Sequence, residues 1–138
     1  MKLAVSKALN YFYLGAGRYR AALADFFFRK TTIVFLSIGV LFNAITWFLA
    51  ITLTSTLKDN LAILHYNVIF GIDRIGLPIN IYVLPVSGLA ILALNFFLGA
   101  GMLRKNEVIP SQQLVVTGVI ANLVLLVSIY LIYSINFS

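Results

Sequence analysis

Three long apolar runs without acidic or basic residues dominate this sequence, and the first of them, Thr31–Leu57, limits the choice of fold most strongly. As a helix this run spans roughly 40 Å at about 1.5 Å per residue, which is enough to cross a bilayer with some tilt. The later runs cover residues 79–103 and 112–135. The sequence therefore predicts an all-α integral membrane protein whose three transmembrane helices form one bundle within residues 31–138.

The composition supports the membrane class. Hydrophobic residues make up 62% of the chain and charged residues 10%. In soluble domains about 45–50% of the residues are apolar and about 25% are charged. The mean hydropathy is +1.02. The chain has no cysteine, which excludes disulfides, thiolate metal sites and iron–sulfur ligation. The residues supply no complete catalytic centre, cofactor motif or metal-ligand set, so we predict a protein that is not an enzyme.

Residues 1–30 are basic and aromatic, and they precede the first run. A secretory signal would place its apolar core much closer to the start of the chain. The polar residues of this segment follow one helical stripe: Lys7, Asn10, Arg18, Asp25 and Arg29. This pattern predicts an amphipathic helix that lies in the membrane interface on the cytoplasmic face. Gly15 and Gly17 are expected to break or kink it, since glycine costs about 1 kcal/mol in a helix interior.

The distribution of basic residues predicts the orientation. Eight of the ten basic residues lie before the first run or between the second and third: Lys2, Lys7, Arg18, Arg20, Arg29, Lys30, Arg104 and Lys105. The segment 58–78 carries only Lys58 and Arg74. The positive-inside bias then predicts a plasma (inner) membrane protein with its N-terminus in the cytoplasm and its C-terminus outside. Attraction of the basic residues to anionic lipid accounts for the net charge of +6, so we predict no nucleic-acid partner.

Each run contains one central asparagine: Asn43, Asn95 and Asn122. Counted from the nearest cytoplasmic landmarks at about 1.5 Å per residue, all three lie roughly 15–20 Å into the membrane. We therefore expect an interhelical polar layer, because an amide that faces lipid would leave its donors unsatisfied. The layer has a structural interpretation, which is that it fixes the register of the bundle. It also has a functional one, which is a polar path or a notch for a partner. A kink is expected at Pro85, which removes one backbone donor.

The outer loop, residues 58–78, is the segment richest in chemically versatile side chains, which we list as a candidate interaction surface: His65, Tyr66, Asn67, Asp73 and Arg74. It is also rich in isoleucine and leucine, so we expect it to lie on or dip into the outer leaflet. Gly71 and Gly76 permit turns within it.

The outer loop allows three interpretations. His65 and Tyr66 suit an interfacial anchor at the level of the headgroups. The loop also suits a docking surface for another membrane protein. A third interpretation pairs His65 with Asp73 as base and orienting group, with Ser55 and Thr56 as nearby hydroxyls. A metal site is not indicated, because one histidine with one or two carboxylates supplies too few ligands.

The run LHYNVIFGIDRIG, residues 64–76, resembles a feature of a loose group of small uncharacterised bacterial membrane proteins with three spans. Members of this group share an HYN-x-x-FGID-like outer loop between their first two spans. The resemblance covers about the second half of the chain and implies no activity. It implies that the loop is a feature of a group of proteins.

These observations predict a non-enzymatic accessory or structural subunit of a larger membrane assembly. Three helices leave much lateral surface, so the expected partners are the lipid bilayer and either other membrane-protein subunits or further copies of this chain. The alternative is a small transporter or channel that works as a homo-oligomer, since three spans cannot enclose a pore alone.

Overall fold

The computed structural model of the protein describes residues 16–57, 60–67, 69 and 71–137, and the side chains of Tyr66 and Asn67 lie outside that description. Its helices are α1 (residues 16–28), α2 (Lys30–Leu57), α3 (Val83–Arg104) and α4 (Val108–Phe137). A short 3-10 helix, η1 (Pro78–Tyr82), leads directly into α3. Of the described helices, three are long and apolar enough to cross a membrane: Lys30–Leu57, Pro78–Arg104 and Val108–Phe137. The predicted all-α fold, with an N-terminal helix before three spans, is confirmed.

The helix α1 is joined to α2 by a bend at Arg29 and packs against the bundle through Phe26. The ring of Phe26 is fully buried, lies 5.5 Å from the ring of Phe96 and sits against Gly99. The hydroxyl of Tyr19 donates a hydrogen bond to the backbone oxygen of Phe97 at 2.8 Å. The aromatic residues of α1 therefore do not all lie in the membrane interface, because Phe26 enters the interior of the bundle.

Gly17 is the second residue of the described part of α1, so the break or kink expected at Gly15 and Gly17 stays a prediction. The contacts made by Phe26 and Tyr19 hold α1 against α3. Gly15 and the polar residues Lys7 and Asn10 lie outside the described part of the chain.

Two buried apolar clusters occupy the two ends of the described bundle. We call the end that contains α1 and the turn between α3 and α4 the basic end; its cluster is Phe26, Ala100, Leu103 and Val115. We call the opposite end the hairpin end; its cluster is Ala50, Leu53, Ala62, Ile81 and Ile129. Both clusters join residues from at least three elements, so the bundle is held at both ends by its own side chains.

The outer loop contains a β-hairpin, which the sequence interpretation missed. Strand β1 (Ala62–Asn67) pairs antiparallel with β2 (Gly71–Gly76), and Ile63 lies opposite Ile75. The register shifts on both sides of His65, which lies opposite Arg74. Gly71 has a φ of 77°, a left-handed conformation that glycine adopts without a steric penalty. The hairpin is therefore an ordered element above the helices.

The helix type changes shortly before Pro85, the residue at which the sequence predicts a kink. Residues Pro78–Tyr82 form the 3-10 helix, and α3 begins at Val83. Pro85 is thus in the first turn of α3, where a backbone N–H has no partner within the helix in any case. The missing donor costs no hydrogen bond at this position.

Candidate functional site

Two of the predicted asparagines meet in the middle of the bundle, between the two apolar clusters. The Nδ2 atom of Asn43 donates to Oδ1 of Asn122 at 3.1 Å and to the backbone oxygen of Pro85 at 3.0 Å. The Nδ2 atom of Asn122 donates to the backbone oxygens of Gly88 and Gly118 at 3.1 and 3.0 Å. Both side chains are buried. All three spans therefore contribute to one hydrogen-bonded group.

Asn95 does not join this pair, which corrects the prediction of a layer of three asparagines. Its amide donates at 2.9 Å to the backbone oxygen of Ile91 in its own helix. In α3 the level of the pair is occupied by Gly88, seven residues and about 10 Å away along the helix. The contribution of α3 is therefore made by the backbone carbonyls of Pro85 and Gly88 and not by a side chain.

Gly88 is required for the close approach of the three spans at this level. A Cβ atom built on Gly88 would lie 2.5 Å from Oδ1 of Asn122 and would also clash with Nδ2 of Asn43. The two amides therefore occupy the space that any larger residue would need. The pair is tightly enclosed and makes four hydrogen bonds within the chain, as a group that fixes the register of a bundle should.

The hairpin brings together His65 and Asp73, which are eight residues apart in sequence. The Nδ1 atom of His65 lies 2.6 Å from Oδ1 of Asp73, and the side chains are 62% and 42% exposed. Arg74 lies opposite His65 in the ladder and makes no salt bridge with any residue that the structure describes. The backbones of Tyr66 and Asn67 belong to β1, and their side chains are outside the description.

Asn136 in the last turn of α4 holds the hairpin onto the bundle, and the sequence interpretation missed it. Its Oδ1 atom accepts the backbone N–H of Ile63 at 3.0 Å, and its Nδ2 atom donates to the backbone oxygen of Ile63 at 2.9 Å. Nδ2 also donates to the oxygen of Ile132 in α4 at 2.9 Å. One amide thus pairs both backbone groups on the free edge of β1, as a third strand would. A polar residue near the end of an apolar run was the available signal.

A cavity of about 540 Å³ lies beneath the hairpin, and we call it the polar pocket. Its polar lining residues are His65, Asp73, Arg74 and Asn80, and its apolar ones are Leu64, Ile81, Val83, Leu84 and Ile132. A second cavity of about 380 Å³, which we call the apolar groove, lies between β1 and α4 and is lined by Ile63, Leu64, His65, Ser128, Leu131, Ile132 and Ile135. The two cavities share Leu64, His65 and Ile132, so they adjoin.

The polar pocket has a base and an orienting carboxylate, but its described lining includes no hydroxyl or thiol. The two hydroxyls that the sequence suggested, those of Ser55 and Thr56, both donate to the backbone oxygen of Thr52 in their own helix. Among the described residues, no group of three or more histidine, aspartate or glutamate side chains is placed to hold a metal ion. The arrangement is suited to hydrogen bonding and charge recognition.

We expect Asn136→Ala to loosen the hairpin without unfolding the bundle. Loss of two hydrogen bonds to Ile63, at about 1 kcal/mol each, should speed hydrogen exchange of the Ile63 amide by roughly 30-fold. The matched control is Asn95→Ala, because the Asn95 amide bonds within its own helix. Site-resolved hydrogen exchange in micelles measures the effect. Equal exchange at Ile63 in both variants would contradict the role assigned to Asn136.

Comparison with protein-family models, with curated proteins and with solved structures finds no match for this chain.

Proposed function

We propose that this multi-pass membrane protein is a non-enzymatic accessory or structural subunit of a larger membrane assembly, with the hairpin end as its contact surface. The observation that carries the proposal is the contrast between a bundle whose central amides are satisfied internally and a hairpin that is anchored but exposed. Asn43 and Asn122 bond to each other and to backbone carbonyls, while Asn136 fixes the hairpin in place.

The exposed side chains of the hairpin end support a contact role. Ile75 is 55% exposed on β2, and other large apolar side chains around it are exposed too: Leu61, Ile72, Leu77 and Ile79. The pair His65–Asp73 stands among them, together with Arg74, which makes no salt bridge to a described residue. An apolar patch that includes a few charged groups is typical of protein and membrane interaction sites.

The lateral faces of the spans support the same proposal. In each span only 22% of the most apolar window is buried within the chain, so most of each face is available to lipid or to neighbouring helices.

We place the hairpin end outside and the basic end in the cytoplasm of a plasma (inner) membrane, because Arg104 and Lys105 lie at the basic end with the residues around α1. The assembly would then contact this chain from outside or from within the membrane.

Gentle extraction of the tagged full chain, followed by sizing and mass spectrometry, tests the proposal. A stoichiometric membrane-protein partner should accompany the wild-type chain and be lost with Ile75→Asn at the hairpin end. The matched control is Ile109→Asn, which changes an even more exposed isoleucine at the basic end and should retain the partner. A lone monomer, or a symmetric homo-oligomer with no partner, would contradict the accessory role.

A second prediction separates the accessory role from the alternative of a transporting homo-oligomer. Asn43→Leu removes the donor to Asn122 and Pro85, so it should weaken the bundle while solute flux across the membrane stays unchanged. The control is Asn95→Leu, whose amide makes no contact with another helix by hydrogen bonding. Flux assays on reconstituted vesicles measure this. A selective fall in flux with Asn43→Leu alone would favour transport.

A further inference from the structure

We propose that the hairpin end binds one anionic phospholipid of the surrounding leaflet, with the phosphate in the polar pocket and an acyl chain in the apolar groove. The inference does not depend on the accessory role, because it concerns a ligand of this chain alone. It rests on two adjoining cavities of opposite character, on a cation in one of them that makes no salt bridge with the described residues, and on the position of both at the end of the spans.

The polar pocket offers donors to a phosphate. The carboxylate of Asp73 is engaged by His65 at 2.6 Å, which leaves Arg74 without a salt bridge to any described residue. The side-chain amide of Asn80 also lines the pocket and makes no hydrogen bond with the described residues. A guanidinium presents a fork of N–H groups that matches a phosphate, and an amide adds further donors.

The apolar groove continues the pocket along α4. Leu64 and Ile132 belong to both cavities, and Leu131 and Ile135 extend the apolar wall along the span. Leu131 is 53% exposed, so the groove is open on its lipid side. The volumes, about 540 and about 380 Å³, fall within the range of roughly 300–1,000 Å³ that is usual for ligand sites. A ligand that fills both must have a charged head and an apolar tail.

The position of the site favours a membrane lipid over a free anion. The rim of the polar pocket includes Val83, which is exposed at the start of α3, and Leu77 and Ile79 are exposed beside it. These apolar side chains place the rim in the membrane interface, where lipid headgroups are the most abundant anions. A guanidinium at this level is placed to pair with the phosphate of such a headgroup.

Photo-crosslinking in vesicles tests the proposal. The full chain is reconstituted in phosphatidylcholine vesicles with phosphatidylglycerol that carries a diazirine on one acyl chain, and the crosslinked residues are mapped by mass spectrometry. We expect crosslinks concentrated at Ile63, Leu131 and Ile135. Unlabelled phosphatidylglycerol should compete about tenfold better than phosphatidylcholine, the ratio that about 1.4 kcal/mol of charge-assisted binding gives. Inorganic phosphate at constant ionic strength should not compete.

Two pairs of variants complete the test. Arg74→Gln should remove the tenfold preference, whereas Arg20→Gln, which removes an exposed charge from α1 at the basic end, should preserve it. Leu131→Trp should fill the groove and suppress crosslinks at Ile63, whereas Val127→Trp, exposed on α4 outside the groove, should not. Crosslinks spread evenly over all three spans, equal competition by the two lipids, competition by phosphate, or equal effects within either pair would overturn the proposal.

Discussion

Gly88→Ala is expected to lower the free energy of unfolding by about 3–5 kcal/mol. The new Cβ atom would lie 2.5 Å from Oδ1 of Asn122, so the Asn43–Asn122 pair must move apart. This movement disrupts the three hydrogen bonds that cross between helices, each of about 0.6 kcal/mol in a membrane. Overpacking of the crowded junction adds about 1–3 kcal/mol. Denaturation in mixed micelles, followed by circular dichroism, measures the change.

The control for Gly88→Ala is Gly17→Ala, the same substitution in another helix. A Cβ atom on Gly17 meets no described atom within 4 Å, so the helix propensity of alanine alone should act. The control should therefore leave stability unchanged or raise it by up to about 1 kcal/mol. Equal behaviour of the two variants would contradict the tight enclosure of the asparagine pair.

Phe26→Ala is expected to release α1 from the bundle, with a loss of about 3 kcal/mol in the free energy of docking. Phe26 is fully buried, and its ring contacts Phe96 and fills the space over Gly99. Truncation of a buried phenylalanine typically costs about 3–5 kcal/mol. The hydrogen bond from Tyr19 to Phe97 should be lost with the docking, so amide exchange within residues 16–28 should rise by about a hundredfold.

The control for Phe26→Ala lies two residues along the same helix. Phe28 is 72% exposed, and Phe28→Ala removes the same ring from the surface, with an expected effect within about 0.5 kcal/mol. Hydrogen exchange of α1 in micelles compares the two variants directly. If exchange in α1 rises equally in both, α1 is held by the interface and not by Phe26.

Much of the helical framework was predictable because its causes are local. Uncharged runs long enough to cross a bilayer predict the spans. The third span, α4, begins at Val108, four residues before the predicted start at residue 112. Asn43 and Asn122 were placed at one depth by counting residues, and their meeting follows from the cost of an unsatisfied amide in lipid.

The errors arose where the outcome depends on packing between distant segments. A count of residues from each end takes no account of how the helices are shifted along one another. Asn95 was therefore grouped with the others, although in α3 the level of the pair is occupied by Gly88, seven residues away. Three consecutive phenylalanines look alike in sequence, and only the gap over Gly99 selects Phe26. The hairpin depends on Asn136, 73 residues from its partner Ile63. Its local signal was a short segment with two isoleucines, Ile72 and Ile75, bounded by Gly71 and Gly76.

The proposed outer contact surface requires that the hairpin end faces outward and the basic end faces the cytoplasm, and single-cysteine labelling tests this most directly. The chain has no cysteine, so Asn60→Cys near the hairpin and Glu107→Cys in the turn between α3 and α4 each create one exposed thiol. A membrane-impermeant maleimide should label the first variant in intact spheroplasts and the second only after permeabilisation. The reverse pattern would contradict the orientation and, with it, the outward contact surface on which the account depends.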